Sequence, residues 1–305
     1  MVHEQTRLLR KSTSPDSVEN LECAQWLMFS LGQNGQAMNN LSANEEVTQV
    51  NARDYPIRIY TLGQFNIFKC NGANGNSSVL NRKGQHKPIE MLKALIALGG
   101  RDVGETRLSE ALWPDTDGDV AHSAFSVTLH RLRKMIGHSA LQLNDSRLTL
   151  NPELCWVDVW ACEQLLNQTQ RVLMKNSFES ESARNFMEAA LFLYNGPFLG
   201  SEDEQAWFLM FRDRIHHKII RGLIALCKHM ENHHQCLQAL DYYHKGIELE
   251  PMAEEFYFRL MKCYADHGRK SEAVSVYLRC ARVLESTLGV STSTKTRELY
   301  QSLLN

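Results

Sequence analysis

"HSAFSVTLHRLRKMIG", residues 122–137, spaces Phe125, Leu129, Leu132 and Ile136 three or four apart and sets Ser123, Ser126, His130, Arg133 and Lys134 on the other side. That is a helix with one apolar stripe turned to a core. Its polar face is either solvated or in contact with something, and the flanking sequence decides which. Upstream, "ETRLSEALWPD" (105–115) predicts a shorter helix with Thr106 as its N-cap and Pro114 as its stop. Before it, "KPIEMLKALIALGG" (87–100) places Pro88 at a helix start and Gly99-Gly100 past its end. Downstream, "LQLNDSRLTL" (141–150) is two alternating runs around Asn144-Asp145-Ser146, the pattern of a β-hairpin. Three helices, the last two separated by the acidic loop "DTDGD" (115–119), and a hairpin predict a winged helix-turn-helix. In that architecture the third helix enters the DNA major groove, so its polar face is a candidate reading surface.

Further out, "IRIYTLGQFNIF" (57–68) alternates around Gly63 and predicts two strands, "CNGANGNSS" (70–78) a loose turn, and "CWVDV" (155–159) another strand. Residues 1–54 carry one helix around Leu21 to Leu31 and then an Asn-, Gln- and Gly-rich stretch too polar to build a core, expected to be an extension and linker. From 158 onward the pattern is purely helical. A shift of 34 superposes Leu226 on Leu260, Ala239 on Ala273, Leu240 on Val274 and Tyr243 on Tyr277, which is the tetratricopeptide period. "NHH" (232–234) and "DHG" (266–268) fall in corresponding turns, and Pro251 closes one repeat. Helices stacked this way bury one another and leave a groove suited to a protein partner. The expected fold class is mostly α with a small β component: a winged helix over 55–157, then an α-helical tetratricopeptide-like solenoid over 158–305.

With 43% hydrophobic and 22% charged residues, the 305-residue chain can bury two or three domain cores. A net charge of -2 excludes a uniformly basic nucleic-acid binder, so any attraction to phosphate is local. Between 122 and 150, Arg131, Arg133, Lys134 and Arg147 against Asp145 leave +3. Arg147 lies just past the hairpin turn, where a wing can touch a sugar-phosphate strand, and Thr106-Arg107 open the second helix, where free N–H groups can accept a phosphate. Cys23, Cys70, Cys155, Cys162, Cys227, Cys236, Cys263 and Cys280 form no C-x-x-C pair and are expected as buried thiols of a reducing compartment. "AQWLMFSL" (24–31) is too short to span a membrane and lacks a basic flank. A cytoplasmic protein without membrane contact is expected.

Catalysis has little support: no phosphate loop of the form G-x-x-x-x-G-K-[ST], no G-x-S-x-G elbow and no H-E-x-x-H helix occurs. His229, His233, His234 and Cys236 could hold zinc by helical spacing, but His233 and His234 fall in a repeat turn where polar residues are expected. No metal and no cofactor is therefore expected. Tyr243, Tyr264, Tyr277 and Cys263 are assigned to packing, and Trp113 to plugging the core behind the second helix.

"LSEALWPDTDGDVAHSAFSVTLHRLRKMIG" followed by "VDVW", "LYNGPFLGSED" and "LMKCYADHGRKSEAVSVYLRCARVLESTLGVSTS" resembles bacterial activators of the SARP type. These join an OmpR-type winged helix to a bacterial transcriptional activator domain of tetratricopeptide-like helices, and the similarity covers residues 56–304. The resemblance implies a non-enzymatic regulator that binds double-stranded DNA at promoter direct repeats and activates by contacting RNA polymerase, with room for a homodimer on DNA. It implies Ser123, Ser126, Val127 and His130 toward base edges, and Arg131, Arg133 and Lys134 near phosphates. The loop 115–119 corresponds to one that polymerase can touch in OmpR-type domains. His122 and Ser126 stand at positions often arginine in relatives, so the operator cannot be transferred and fewer guanine contacts are expected. That departure keeps an alternative open: a tetratricopeptide-type interaction scaffold whose winged helix no longer binds DNA. A third possibility is the effector end of a longer ATPase-bearing regulator, although no nucleotide site is visible. Fifty-four residues before the winged helix are too few for a receiver domain, so phosphorelay control within the chain is not expected.

Overall fold

A computed structural model describes residues 52, 55–70, 77–79, 86–175, 180–202 and 204–304. The helix expected around Leu21 to Leu31 lies outside them. Strand β1 (Ile57–Tyr60) pairs antiparallel with β2 (Asn66–Cys70), from Ile57 opposite Lys69 to Tyr60 opposite Asn66. Ile57, Ile59 and Ile67 are buried, as the alternation requires. The stretch expected as a loose turn ends instead in a strand, β3 (Ser77–Val79), which finds the open edge of β2.

Helix α1 (His86–Ala97) is buried from Pro88 to Ala97, which makes it the central post of the first half of the fold. It stops where Gly99 and Gly100 take positive φ of 111° and 74°, backbone that glycine adopts without a Cβ penalty. Strand β4 (Val103–Gly104) then leads into α2 (Glu105–Leu112). The N-cap of α2 is Gly104 rather than the expected Thr106. The helix starts as soon as the strand ends, and its first N–H, from Glu105, already donates to the Ser146 carbonyl at 2.8 Å. Trp113 closes α2 half-buried, with the Lys87 ammonium 5.9 Å over its ring.

Helix α3 (Gly118–Ile136) is followed by the hairpin of β5 (Leu141–Asn144) and β6 (Arg147–Leu150). Asp145 and Ser146 turn it with φ of 47° and 57°, the left-handed pair of a two-residue hairpin loop. The wing sheet has the order β4-β6-β5, so the two-residue β4, which the sequence does not announce, ties the wing to the start of α2. Finally β7 (Cys155–Val157) returns parallel to β1 and completes the first sheet in the order β3-β2-β1-β7.

The remainder is helical: α4 (Asp158–Met174), α5 (Ser180–Leu193), α6 (Ala206–Asn232), a 3-10 segment (Cys236–Ala239), α7 (Leu240–Leu249), α8 (Glu254–Asp266), α9 (Lys270–Leu288) and α10 (Thr294–Leu304). The period of 34 is visible in backbone detail. His234 and Gly268 both take positive φ, 58° and 72°. Gln235 N–H donates to the Met230 carbonyl at 2.9 Å, and Arg269 N–H to the Tyr264 carbonyl at 2.8 Å. Ala239 and Ala273 are both fully buried. Tyr243 is buried with its hydroxyl donating to Glu231, whereas Tyr277 stacks on Tyr300 of α10 with ring centroids 3.9 Å apart. Among the described residues no helix is long and apolar enough to cross a membrane.

Two cysteines depart from the expectation of separate thiols: Cys236 and Cys263 are bonded as a disulfide, their Cα atoms 5.9 Å apart. Stacking of consecutive helical pairs brings them together, which spacing along one helix could not show. Cys155, Cys162, Cys227 and Cys280 are buried free thiols, and desolvation pushes each up to about 12.

The two halves are stitched together at residues 61–63. Asp158, the first residue of α4, accepts from Thr61 N–H at 2.7 Å, Leu62 N–H at 2.8 Å, the Thr61 hydroxyl at 2.6 Å and its neighbour Val159 N–H at 2.7 Å. Burial pushes the Asp158 carboxyl up to about 6, and these hydrogen bonds offset only part of that rise. Leu199 N–H donates to the Thr61 carbonyl at 2.8 Å and Gly63 N–H to the Pro197 carbonyl at 2.9 Å. Arg212 of α6 holds the other side of this loop by donating to the Phe198 and Leu199 carbonyls at 2.8 and 2.7 Å. The Lys93 ammonium of α1 reaches the Glu202 carboxylate and sits 4.6 Å over the Phe65 ring. Ala52–Asn305 packs as one compact unit as a result.

Candidate nucleic-acid interface

The capping of α3 is local. Asp117 takes the N-cap position, its carboxylate accepting the Gly118 N–H at 2.8 Å, and Gly137 ends the helix with a φ of 114°. Nineteen residues make a rod about 28 Å long. One side carries Ala121, Phe125, Leu129, Leu132 and Ile136, all buried. The other carries Ser123, Ser126, Val127, His130, Arg131 and Lys134, all exposed and spaced i, i+3, i+4, i+7, i+8 and i+11. Both stripes follow the helical period, so the exposed set forms one continuous strip.

Within the strip the side chains differ in what they leave free. Ser123 spends its hydroxyl proton on the Asp119 carbonyl at 3.1 Å, which leaves its lone pairs outward. Val127 is 51% exposed, an apolar patch with no local use on a polar face. The His130 ring lies edge-on to His138, with centroids 6.5 Å apart. Arg131 and Lys134 are exposed at the C-terminal half, whereas Asp117 and Asp119 stand at the N-terminal end. The strip therefore runs from acidic to basic along its length.

Arg133 sits differently from the residues grouped with it. It is half-buried and donates from Nη2 to the Leu141 carbonyl at 3.2 Å, so it braces the first wing strand against α3. Its Nε is buried and has no hydrogen-bond partner. Arg147 is exposed on the wing and donates to the Asp102 carbonyl at 3.1 Å, while Asp102 N–H donates to Thr149 at 2.8 Å. Arg107 is exposed on the first turn of α2. Next to it, Glu105 pairs with the His122 ring and puts a negative charge at that helix start. Sequence reasoning named His122 without its partner and passed over His138 and Val120, the last 59% exposed. A polar face extrapolated by one turn beyond Ser123 would have reached Val120.

The second half of the chain is similar to a known family. Residues 157–304 match the family described as the bacterial transcriptional activator domain. Among solved structures, Mycobacterium tuberculosis EmbR, in complex with a low affinity phosphopeptide, shares 18% identity at a TM-score of 0.61, over 82% of this chain and 65% of that one. At that identity the likeness shows a common fold, and this chain spans about two thirds of the EmbR chain or slightly less. The C-terminal TPR-containing domain of a Plasmodium falciparum FK506-binding protein matches at a TM-score of only 0.33, with 16% identity over 48% of this chain and 89% of that one. No curated protein sequence matches the chain. Residues 157–304 thus resemble a bacterial transcriptional activator domain, and the chain as a whole shares its fold with EmbR.

Proposed function

We propose that the chain is a sequence-specific, DNA-binding transcriptional activator that lays α3 in the major groove of a promoter repeat. The observation that supports this is the continuous exposed strip of α3, whose side chains are suited to base edges. Ser126 and His130 offer hydrogen bonds, Val127 an apolar surface of the kind that meets a thymine methyl, and Ser123 two lone pairs. Arg131 and Lys134 on α3, Arg147 on the wing and Arg107 on α2 supply the attraction to phosphates. Arg133 keeps the wing at its distance from α3. A second copy on an adjacent repeat and contact with RNA polymerase, through loop 115–119 and the activator domain, complete the proposal. Chemistry is assigned to none of these residues, and the activity is regulatory.

Titration of duplexes from the gene's own upstream region, against scrambled duplexes at several salt concentrations, tests the assignment. His130→Ala should weaken cognate binding by about 1–3 kcal/mol and leave scrambled binding nearly unchanged. Arg131→Gln should weaken both and lower the log-log salt slope by about 1. Equal losses on both duplexes for His130→Ala would show that this face does not read bases. Absence of any salt-sensitive DNA binding by the full chain would leave the scaffold function instead.

A further inference from the structure

We propose that the reduced protein binds a thiophilic divalent cation, zinc in type, through Cys236, Cys263 and His267. Cys236 begins the 3-10 segment that leads into α7, and Cys263 and His267 lie one turn apart at the end of α8. Their two sulfurs and a ring nitrogen of His267 all lie within 4.8 Å of one another. Two cysteines and one histidine are a zinc ligand set that leaves a fourth position open.

The histidine is already set for this role. His267 Nδ1 is 2.8 Å from the Cys263 carbonyl oxygen. A carbonyl only accepts, so Nδ1 carries the proton and the lone pair is on Nε2. A ring held by its other nitrogen in this way is the usual support of a metal-ligating histidine. The repeat itself supplies that hold: His233 Nδ1 makes the same contact, also 2.8 Å, with the His229 carbonyl. One repeat earlier, however, His229 stands where Cys263 stands here, and Lys270 is the counterpart of Cys236 one repeat later. The thiols are what this turn adds.

Space agrees. The three ligands face a cavity of about 230 Å³ that Glu231, His234, Arg259, Lys262 and Asp266 also line, which has room for a water in the fourth position. The nearby Arg259 does not oppose a cation, because its guanidinium is paired with Glu231 at 2.7 Å and with Glu255. Two thiolates would neutralise the ion. Among the described residues, His229, His233, His234 and Cys236 do not bring three ligand atoms together in this way. The disulfide and the metal are alternative cross-links of the same two sulfurs. A phosphine reductant breaks the S–S bond, each sulfur gains one electron and one proton, and the phosphine leaves as its oxide with oxygen from water. Metal binding then releases the two thiol protons. Either cross-link fastens the turn before α7 to α8, and so fixes one helical pair against the next.

The full chain, reduced with phosphine and freed of excess reagent under anaerobic conditions, should take up equimolar cobalt(II). The signature is a near-ultraviolet thiolate-to-cobalt band together with the strong visible bands of a tetrahedral site, both erased by zinc. Cys236→Ser and Cys263→Ser should lose the thiolate band. His267→Ala should bind more weakly by more than the roughly 10–100-fold that loss of a supporting group costs. His233→Ala should bind as the parent does. The proposal is overturned if the reduced wild type, which needs no variant to fold, shows no equimolar thiolate band, or if Cys236→Ser retains it.

Discussion

Replacing Asp158 with asparagine removes a charge from the junction and keeps its shape. The carboxyl is 2% exposed, and burial raises it from 3.8 to about 6. Two units correspond to about 3 kcal/mol between the protonation states. Because the folded value lies above the unfolded one, the folded chain holds this proton more tightly. The stabilisation is complete below the unfolded value and is lost as pH rises through about 6. Between about pH 4.5 and pH 7 the wild type should lose about 2 kcal/mol from this group. An amide does not titrate. It relieves the charge, but it points an NH2 at one of the N–H groups of Thr61, Leu62 or Val159, stranding a buried donor at about 1–3 kcal/mol. At neutral pH the two effects nearly cancel, so the slope is the discriminating quantity. Urea unfolding of both proteins at the two pH values gives it, because other titrating groups drop out of the wild type minus variant difference. A difference that stays flat, or that rises with pH, would refute the account of the junction.

Other substitutions probe separate parts of the fold. Ala239→Leu and Ala273→Leu, each at a fully buried position, should each lower stability by about 1–3 kcal/mol through overpacking; unchanged melting temperatures would disprove the repeat alignment. Gly100→Ala should cost about 2–4 kcal/mol, since the residue has a φ of 74° and a Cβ there would meet the Trp160 ring at 2.1 Å. Its thermal unfolding, compared with that of Gly99→Ala, separates the clash from the backbone strain, because a Cβ at Gly99 meets nothing. Arg133→Ala should cost about 1–2 kcal/mol by releasing the Leu141 carbonyl. If it instead lowers the DNA salt slope without touching stability, Arg133 is a phosphate contact.

What could be seen in the sequence was whatever repeats. Helix α3 shows itself because nineteen residues hold two complementary stripes, and the wing because Asp145-Ser146 sits between two alternating runs. The helical half shows itself through a period that recurs in its turns. Strand β4 escaped because two residues cannot display alternation. Arg133 was set on the polar side and expected near phosphates, although Leu129, four residues before it, and Ile136, three after, are both buried. Position on the helix, not residue type, sends its guanidinium back to the wing. The same limit explains Asp158 and Cys236. A buried aspartate at the head of a helix looks like a surface cap until Thr61, 97 residues away, closes over it. A cysteine in a turn looks solitary until the next helical pair brings Cys263 within bonding reach. These are the contacts that join one half of the chain, or one repeat, to another. Because Asp158 and residues 61–63 tie the helical half to the sheet of β1, the proposed pose of α3 in a groove would also set where the helical half stands beside the DNA.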